Sequence, residues 1–386
     1  MLFSYCTNLH PGESWEETFD ALRRHVPGVR RKIRRTATDP FPLGLRLSAV
    51  AAAELRADKA RLRQLRRWIE DENLLAFTIN GFPYGPFHGQ RVKEQVFAPD
   101  WSTPERVTYT SNLFSLLAEL LPEGAEGSVS TLPGSFSEFV AADPSRRPAI
   151  IANLRRFAIE LEELSSVNGL DLHLGLEPEP LGLFDNMEGT IRFFEELTAG
   201  LADSERYRLL RRIGICYDAC HFAVVHEDAP TALDAIHAAG IRLSKIHLSN
   251  ALRLNPADDG ARAALAAFNE PTYLHQVIGR REDGSIVRHR DIPDALAAWP
   301  DGSVEWRAHF HIPLFAEPTA PLSSTITHLE GLAHWLHAHP LACRHFEMET
   351  YTFGVLPESL RSPTVEDMLA EEFRWCETRF FTLVGR

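Results

Sequence analysis

The side chains with chemistry to offer stand at the ends of short apolar runs. In Leu172-His173-Leu174-Gly175-Leu176-Glu177 strict alternation puts His173, Gly175 and Glu177 on one face and the leucines on the other, so that face ends in an acid. Ile213 to Asp218 aligns Gly214, Cys216 and Asp218, with His221 one short step later; Leu243 to Asn250 aligns Lys245, His247 and Ser249; Arg344 to Thr352 aligns His345, Glu347 and Glu349. Any one of these acids has a bland reading as a helix cap or an arginine partner. Their recurrence at the ends of separate runs points instead to a shared divalent cation held by Glu177, Asp218, His247 and Glu349. Three carboxylates and one imidazole suit Mn²⁺, Mg²⁺, Zn²⁺ or Fe²⁺ and do not choose among them. Glu179 competes with Glu177 for its place, and Glu347, His309 or His311 for that of Glu349.

Other residues read as substrate contacts. His309 and His311, in Arg307-Ala308-His309-Phe310-His311-Ile312-Pro313, share one face and fit substrate contact better than ligation. His10 follows the first run, Asn80 ends the third, and His221 and Glu347 complete the set. An inward Lys245 raises the prospect of a Schiff base, but an ion pair with a buried acid is the better expectation. The basic stretch Arg23 to Arg35 reads as a solvated face, since no phosphate-binding glycine motif accompanies it.

Something must carry these residues to one place. Seven β-type runs, Phe3 to Asn8, Leu43 to Ser48, Leu75 to Asn80, Gly127 to Leu132, Leu172 to Glu177, Ile213 to Asp218 and Ile241 to Ser249, alternate with segments of helical spacing. That alternation predicts a parallel sheet. Trp306 to Phe315 and Arg344 to Thr352 both qualify as an eighth run, with a helix-like stretch Ser323 to Ala338 between them; Arg344 to Thr352 is assigned. Residues 253 to 315 then form a lid or rim insertion, in which Tyr273 to Gly279 and Ser285 to Arg290 flank a hairpin turn. The fold class expected is α/β, one (β/α)₈ TIM barrel over residues 1–386, whose active site lies at the C-terminal ends of its strands.

Composition narrows the partners. The 386 residues are 44% hydrophobic and 24% charged, with formal net charge -13, which disfavours a phosphate-backbone partner. The N-terminus lacks the pattern of a secretion signal, and no uncharged apolar run reaches the roughly 18 residues of a membrane span. Cys6, Cys216, Cys220, Cys343 and Cys376 are scattered without metal-type spacing, as reduced core thiols would be. A cytoplasmic chain without nucleic acid or stable membrane insertion is expected.

Glu177, Asp218 with His221, His247 and Glu349 resemble the metal and substrate positions of the xylose-isomerase-like barrel superfamily, which includes sugar epimerases. More narrowly, Tyr5 to Gly12, His309 to Phe315 and Glu347 to Thr352 resemble the EboE family of metabolite-traffic proteins. That resemblance implies a cytosolic protein of a secondary-metabolite precursor pathway, functionally linked to a prenyltransferase-like membrane protein. Two departures stand out: about a hundred residues separate His247 from Glu349, and His247 is followed by Leu-Ser-Asn where many epimerases carry an acid. Together the readings imply a metal-dependent isomerase or epimerase of a small hydroxylated metabolite, with Glu177 and Glu349 moving the proton and His10, His221, His309 and His311 orienting hydroxyls. Two alternatives differ in class. One is a non-catalytic barrel handing over a hydrophobic precursor beneath Phe268, Tyr273, Trp299, Trp306, Phe310 and Phe315; the other is a metal-dependent hydrolase.

Overall fold

The computed structural model describes residues 1–33 and 40–385. Its strands are β1 Leu2–Tyr5, β2 Phe41–Arg46, β3 Leu74–Asn80, β4 Glu126–Thr131, β5 Asp171–Leu176, β6 Ile213–Asp218, β7 Leu243–Leu248, β8 Asn250–Leu254, β9 Val277–Arg280, β10 Ile286–His289, β11 Glu305–Ile312, β12 Leu322–Ser324 and β13 His345–Met348. Eight of them pair in the order β1-β13-β7-β6-β5-β4-β3-β2, every pair parallel. The two edges of that sheet meet at a parallel bridge between Cys6 and Gly44. Ser4 Oγ donates to Pro42 O at 2.7 Å and accepts from Gly44 N at 3.2 Å, so a side chain helps to close the seam. The expected α/β barrel is the fold.

Alternation along the strands sorts the side chains. Leu172, Leu174 and Leu176 of β5 join the apolar layer between sheet and helices, whereas His173 and Glu177 are buried among polar groups. Barrel interiors are commonly filled by branched apolar residues. This one is polar, and its groups find one another: Thr78 and Ser128 hydroxyls lie 2.8 Å apart, His345 Nδ1 is 2.8 Å from Ser128 Oγ, and His173 Nε2 is 3.1 Å from Glu126 Oε1. Above that floor Lys245 Nζ donates to Glu347 Oε2 at 2.7 Å, the ion pair expected of it. Burial pulls the pKa of Lys245 down, but the Glu347 carboxylate outweighs this and holds it above the ordinary lysine range, which rules the amine out as a neutral nucleophile. Register sets the next layer: Asp218 pairs with His247 across β6 and β7, and His247 with Glu347 across β7 and β13.

The strands β10-β9-β11-β8-β12 form a second, antiparallel sheet within residues 250–324. β9 and β10 are the expected hairpin, turning at Gly284 with φ 83°. Trp306 to Ile312 belongs to this sheet, so the barrel's last strand is indeed drawn from Arg344 to Thr352. The helix between these two runs spans Ile326–Ala338, shorter than expected because Leu322–Ser324 pairs with β8. Within the basic stretch, helix Trp15–Lys32 begins at a Ser14 capping box, and Arg23 and Lys32 pair with Asp20 and Asp367; Arg34 and Arg35 lie outside the described residues. No helix among the described residues is long and apolar enough to cross a membrane. All five cysteines are free and buried.

Candidate metal centre

Asp218 ends β6 and caps the short helix Ala219–Val224: its Oδ1 accepts from His221 N at 2.9 Å and from Ser249 Oγ at 2.7 Å. The cap explains the Asp-x-x-His spacing, because one turn of helix returns His221 to the same rim. The acid's other oxygen, Oδ2, makes no hydrogen bond among the described residues. His247 Nε2 donates to Glu347 Oε2 at 3.1 Å, which leaves Nδ1 facing Glu349 Oε2 at 3.0 Å, Glu177 Oε1 at 3.1 Å and Asp218 Oδ2 at 3.6 Å. Glu349 is held from its far side by two amides, Asn8 Nδ2 at 2.9 Å and Asn80 Nδ2 at 2.8 Å, both donating to Oε1. One ligand atom from each of Glu177, Asp218, His247 and Glu349 lies within 4.8 Å of the other three.

That cluster fits a divalent cation on its own terms. Glu177 Oε2 and Asp218 Oδ2 are buried and have no hydrogen-bond partner among the described residues. An unpaired buried carboxylate oxygen is costly unless a cation compensates it. The charges carry the same sign: burial, with Glu349 and Asp218 close by, pushes Glu177 up to about 7, and the carboxylates raise His247 against the effect of burial. Three carboxylates around one imidazole leave negative charge that a proton only partly neutralises.

The remaining candidates divide. His221, His309 and His311 gather beside the cluster, and burial lowers His221 to about 4 and His309 well below its ordinary value, so both are neutral near pH 7. Glu179 stays outside the four-residue set; buried and near Glu177, its carboxyl is pushed well up, and its Oε1 lies 3.7 Å from His309 Nδ1. Three residues expected at substrate are placed otherwise. Glu347 points down the barrel to Lys245 and His247, Asn80 orients Glu349, and His10 bonds Tyr5 Oη at 3.2 Å and stacks on His25. Asn8, two residues before His10, is the one that reaches the site; the short turn Thr7–Leu9 after β1 swings it inward.

Over the cluster lies a chamber of about 50 Å³, walled by Asn8, Glu177, Glu179, His221, His309 and Glu349. Its roof is Phe82, Phe87, Val92 and Val96 from the segment after β3, with Tyr273 and Tyr351. Lys93 ties that segment down, donating to Asp291 Oδ2 at 2.6 Å and to Glu270 O at 3.2 Å. Of the six aromatics expected to roof a pocket only Tyr273 does so; Trp306 and Phe310 are buried in the second sheet and Phe315 lines a separate groove.

No protein-family model matches the chain, and no curated protein matches its sequence. Among solved structures it is similar to D-psicose 3-epimerase with D-tagatose from Clostridium cellulolyticum H10, with TM-score 0.52 and 9% identity over 100% of this chain and 99% of that one. It is similar also to a D-psicose 3-epimerase in the presence of D-fructose, with TM-score 0.50 and 8% identity over 100% of both chains. At such identities the likeness is one of fold alone, the parallel α/β barrel described above.

Proposed function

We propose that the chain is a divalent-metal-dependent isomerase or epimerase of a small hydroxylated metabolite. The observation that carries this reading is the convergence of Glu177, Asp218, His247 and Glu349 within 4.8 Å, with two buried carboxylate oxygens lacking partners. A divalent cation bound there would polarise adjacent substrate oxygens and stabilise an enediolate-like charge. Proton movement falls to the chain itself. Glu177 would take and return the proton from one side of the cluster, and Glu349 is fixed by Asn8 and Asn80 on the other. The neutral rings of His221 and His309 and the Glu179 carboxyl would orient substrate hydroxyls along the wall. The similarity to sugar epimerase structures is in keeping with this reading.

The space of about 50 Å³ admits a water or two, so substrate entry requires the roof to move. The narrower resemblance to the EboE metabolite-traffic proteins adds a setting: a cytoplasmic step on a secondary-metabolite precursor, linked to a prenyltransferase-like membrane protein. Solvent-deuterium uptake at carbon tests the chemistry, with metal-loaded protein offered α-hydroxycarbonyl sugars. Glu177→Gln and Glu349→Gln should each abolish uptake, and exchange surviving in the double variant would discard the reading.

A further inference from the structure

The long helix Arg146–Asn168, between β4 and β5, buries Ile150, Leu154, Phe157 and Leu161 and carries a second ridge on its outer side. Residues four apart line up along a helix, and taken at that step the ridge reads Ile151, Arg155, Ile159, Glu163, Val167. Ile151 and Arg155 are half-buried, whereas Ile159 is 63% and Val167 85% exposed. Single exposed apolar side chains are ordinary on a surface; a concentration of them is not. Among the described residues, three of the four most exposed large apolar side chains, Val167, Tyr207 and Ile159, lie on this helix and its neighbour Asp203–Arg212. Between the two helices runs a groove of about 310 Å³, lined on its apolar side by Ala158, Ile159, Leu201 and Leu209.

The order of residues along the ridge selects what can cover it. About Ile159 it is symmetric in hydrophobicity and antisymmetric in charge, with arginine four residues before, glutamate four after and an apolar residue eight away on either side. Arg156 and Glu162, three residues to each side, repeat the signs. A second copy of this helix laid antiparallel across Ile159 therefore sets Arg155 of each chain opposite Glu163 of the other, and Ile151 opposite Val167. The two Ile159 side chains meet at the centre. Laid parallel, arginine would face arginine and glutamate would face glutamate, which is repulsive. A twofold interface needs this self-complementarity, because the same patch must serve both sides. Arg155 is already fixed in place, donating to Leu197 O at 2.9 Å and to Ala199 O at 2.7 Å, so it loses little freedom on docking. The crossed charges set orientation and register, and burial of Ile159, Val167 and the groove supplies the attraction.

We propose that this face joins two copies of the chain in an antiparallel, twofold dimer centred on Ile159. The dimer stands independently of the cation and of turnover, since no residue of the ridge or groove lines the chamber over the carboxylate cluster.

Sedimentation equilibrium of the full-length protein tests this, at about 100 μM protein and about 0.15 M salt, where charges are screened beyond about 8 Å. Wild type should show twice the mass of one chain. Ile159→Asp changes a solvent-facing position and should raise the dissociation constant by about 30-fold or more, with the far-ultraviolet circular dichroism unchanged. Glu163→Lys, which sets a lysine opposite Arg155 at both ends, should weaken the dimer as well. Because all five native cysteines are buried, one introduced thiol reports the geometry. Ile159→Cys should cross-link two copies under mild oxidation. Val167→Cys should not, since eight residues of helix hold each thiol about 12 Å from the centre and the two about 24 Å apart, beyond the reach of a disulfide. A wild type of single-chain mass overturns the proposal and leaves the ridge to a different protein, an outcome that needs no variant to fold. A dimer untouched by Ile159→Asp would place the contact on another face and overturn it equally. Cross-linking through Val167→Cys would overturn the antiparallel arrangement.

Discussion

His247 shows how a single side chain is made ready by what lies beneath it. Its Nε2 is occupied by Glu347, whose charge is balanced in turn by Lys245, so Nδ1 alone is left for the cluster. Such outer partners typically change metal affinity 10- to 100-fold. Glu347→Gln should therefore weaken Co²⁺ binding at the carboxylate site by about that factor, and isothermal titration would show it; unchanged affinity would mean that Glu347 serves packing only. Lys245→Met should cost more in folding than in binding, because it strands a buried carboxylate, a loss of about 3 to 5 kcal/mol. Urea unfolding of Lys245→Met beside Lys245→Met with Glu347→Gln separates the two effects, the double variant recovering part of the loss. Much of this was legible in the sequence: alternation alone put Lys245, His247 and Ser249 on one face and Glu347 with Glu349 on another. What alternation cannot convey is depth. Two residues along a strand separate Glu347, locked under the site, from Glu349 inside it, and the same blindness favoured His10 over Asn8.

At the scale of elements, strand positions were readable because apolar alternation and β-branched runs repeat between helices, but strand ends were not. The first run was expected to continue to Asn8 and stops at Tyr5, since beyond the Cys6 and Gly44 bridge its backbone has no further ladder partner and turns. The roof was not readable at all. Phe82 and Phe87 sit in a stretch of Gly and Pro with no periodicity, and only tertiary folding lays that stretch across the mouth. Gly44 joins seam to site: a Cβ there would stand 1.8 Å from Glu347 Oε1 and 2.9 Å from Tyr5 O. The backbone neighbour cannot yield without opening the seam, and the carboxylate cannot yield without releasing Lys245 and His247. Gly44→Ala should accordingly lower the unfolding midpoint and weaken Co²⁺ binding together. Gly354→Ala, whose Cβ would meet nothing within 4 Å, is the control that should do neither. A Gly44→Ala protein with wild-type cation affinity would show that the seam and the site are independent.

For the molecule as a whole, buried ionisable groups away from the cation cluster decide how stability follows pH. Glu372, on the helix Val365–Trp375, accepts at Oε1 from Leu314 N at 3.1 Å and from Thr350 Oγ1 at 2.6 Å, tying the C-terminal helix to the end of the second sheet's segment and to the chain leaving β13. Burial pushes its carboxyl up to about 7 in spite of those two bonds, and Oε2 has no hydrogen-bond partner among the described residues. A carboxyl raised on folding stabilises the native state fully only below its unfolded value; the benefit fades as pH climbs toward 7, because the unfolded chain ionises first. His173 and His328 run the other way: lowered by burial to about 4, they favour the native state above their unfolded value near 6.5 and withdraw that support as pH falls toward 4. The opposing slopes overlap between about pH 4.5 and 6.5, so the wild-type profile alone does not isolate Glu372. A difference does. Glu372→Gln keeps an acceptor for Leu314 and Thr350 but cannot ionise, so its stability relative to wild type should be lowest near pH 4.5. It should rise to pH 7 and level off above, by up to roughly 3 kcal/mol at about 1.4 kcal/mol per pH unit. Paired urea unfolding curves from pH 4.5 to 8.5 would measure this, and a flat difference across that range would mean that the Glu372 carboxyl titrates in the folded protein as it does in the open chain.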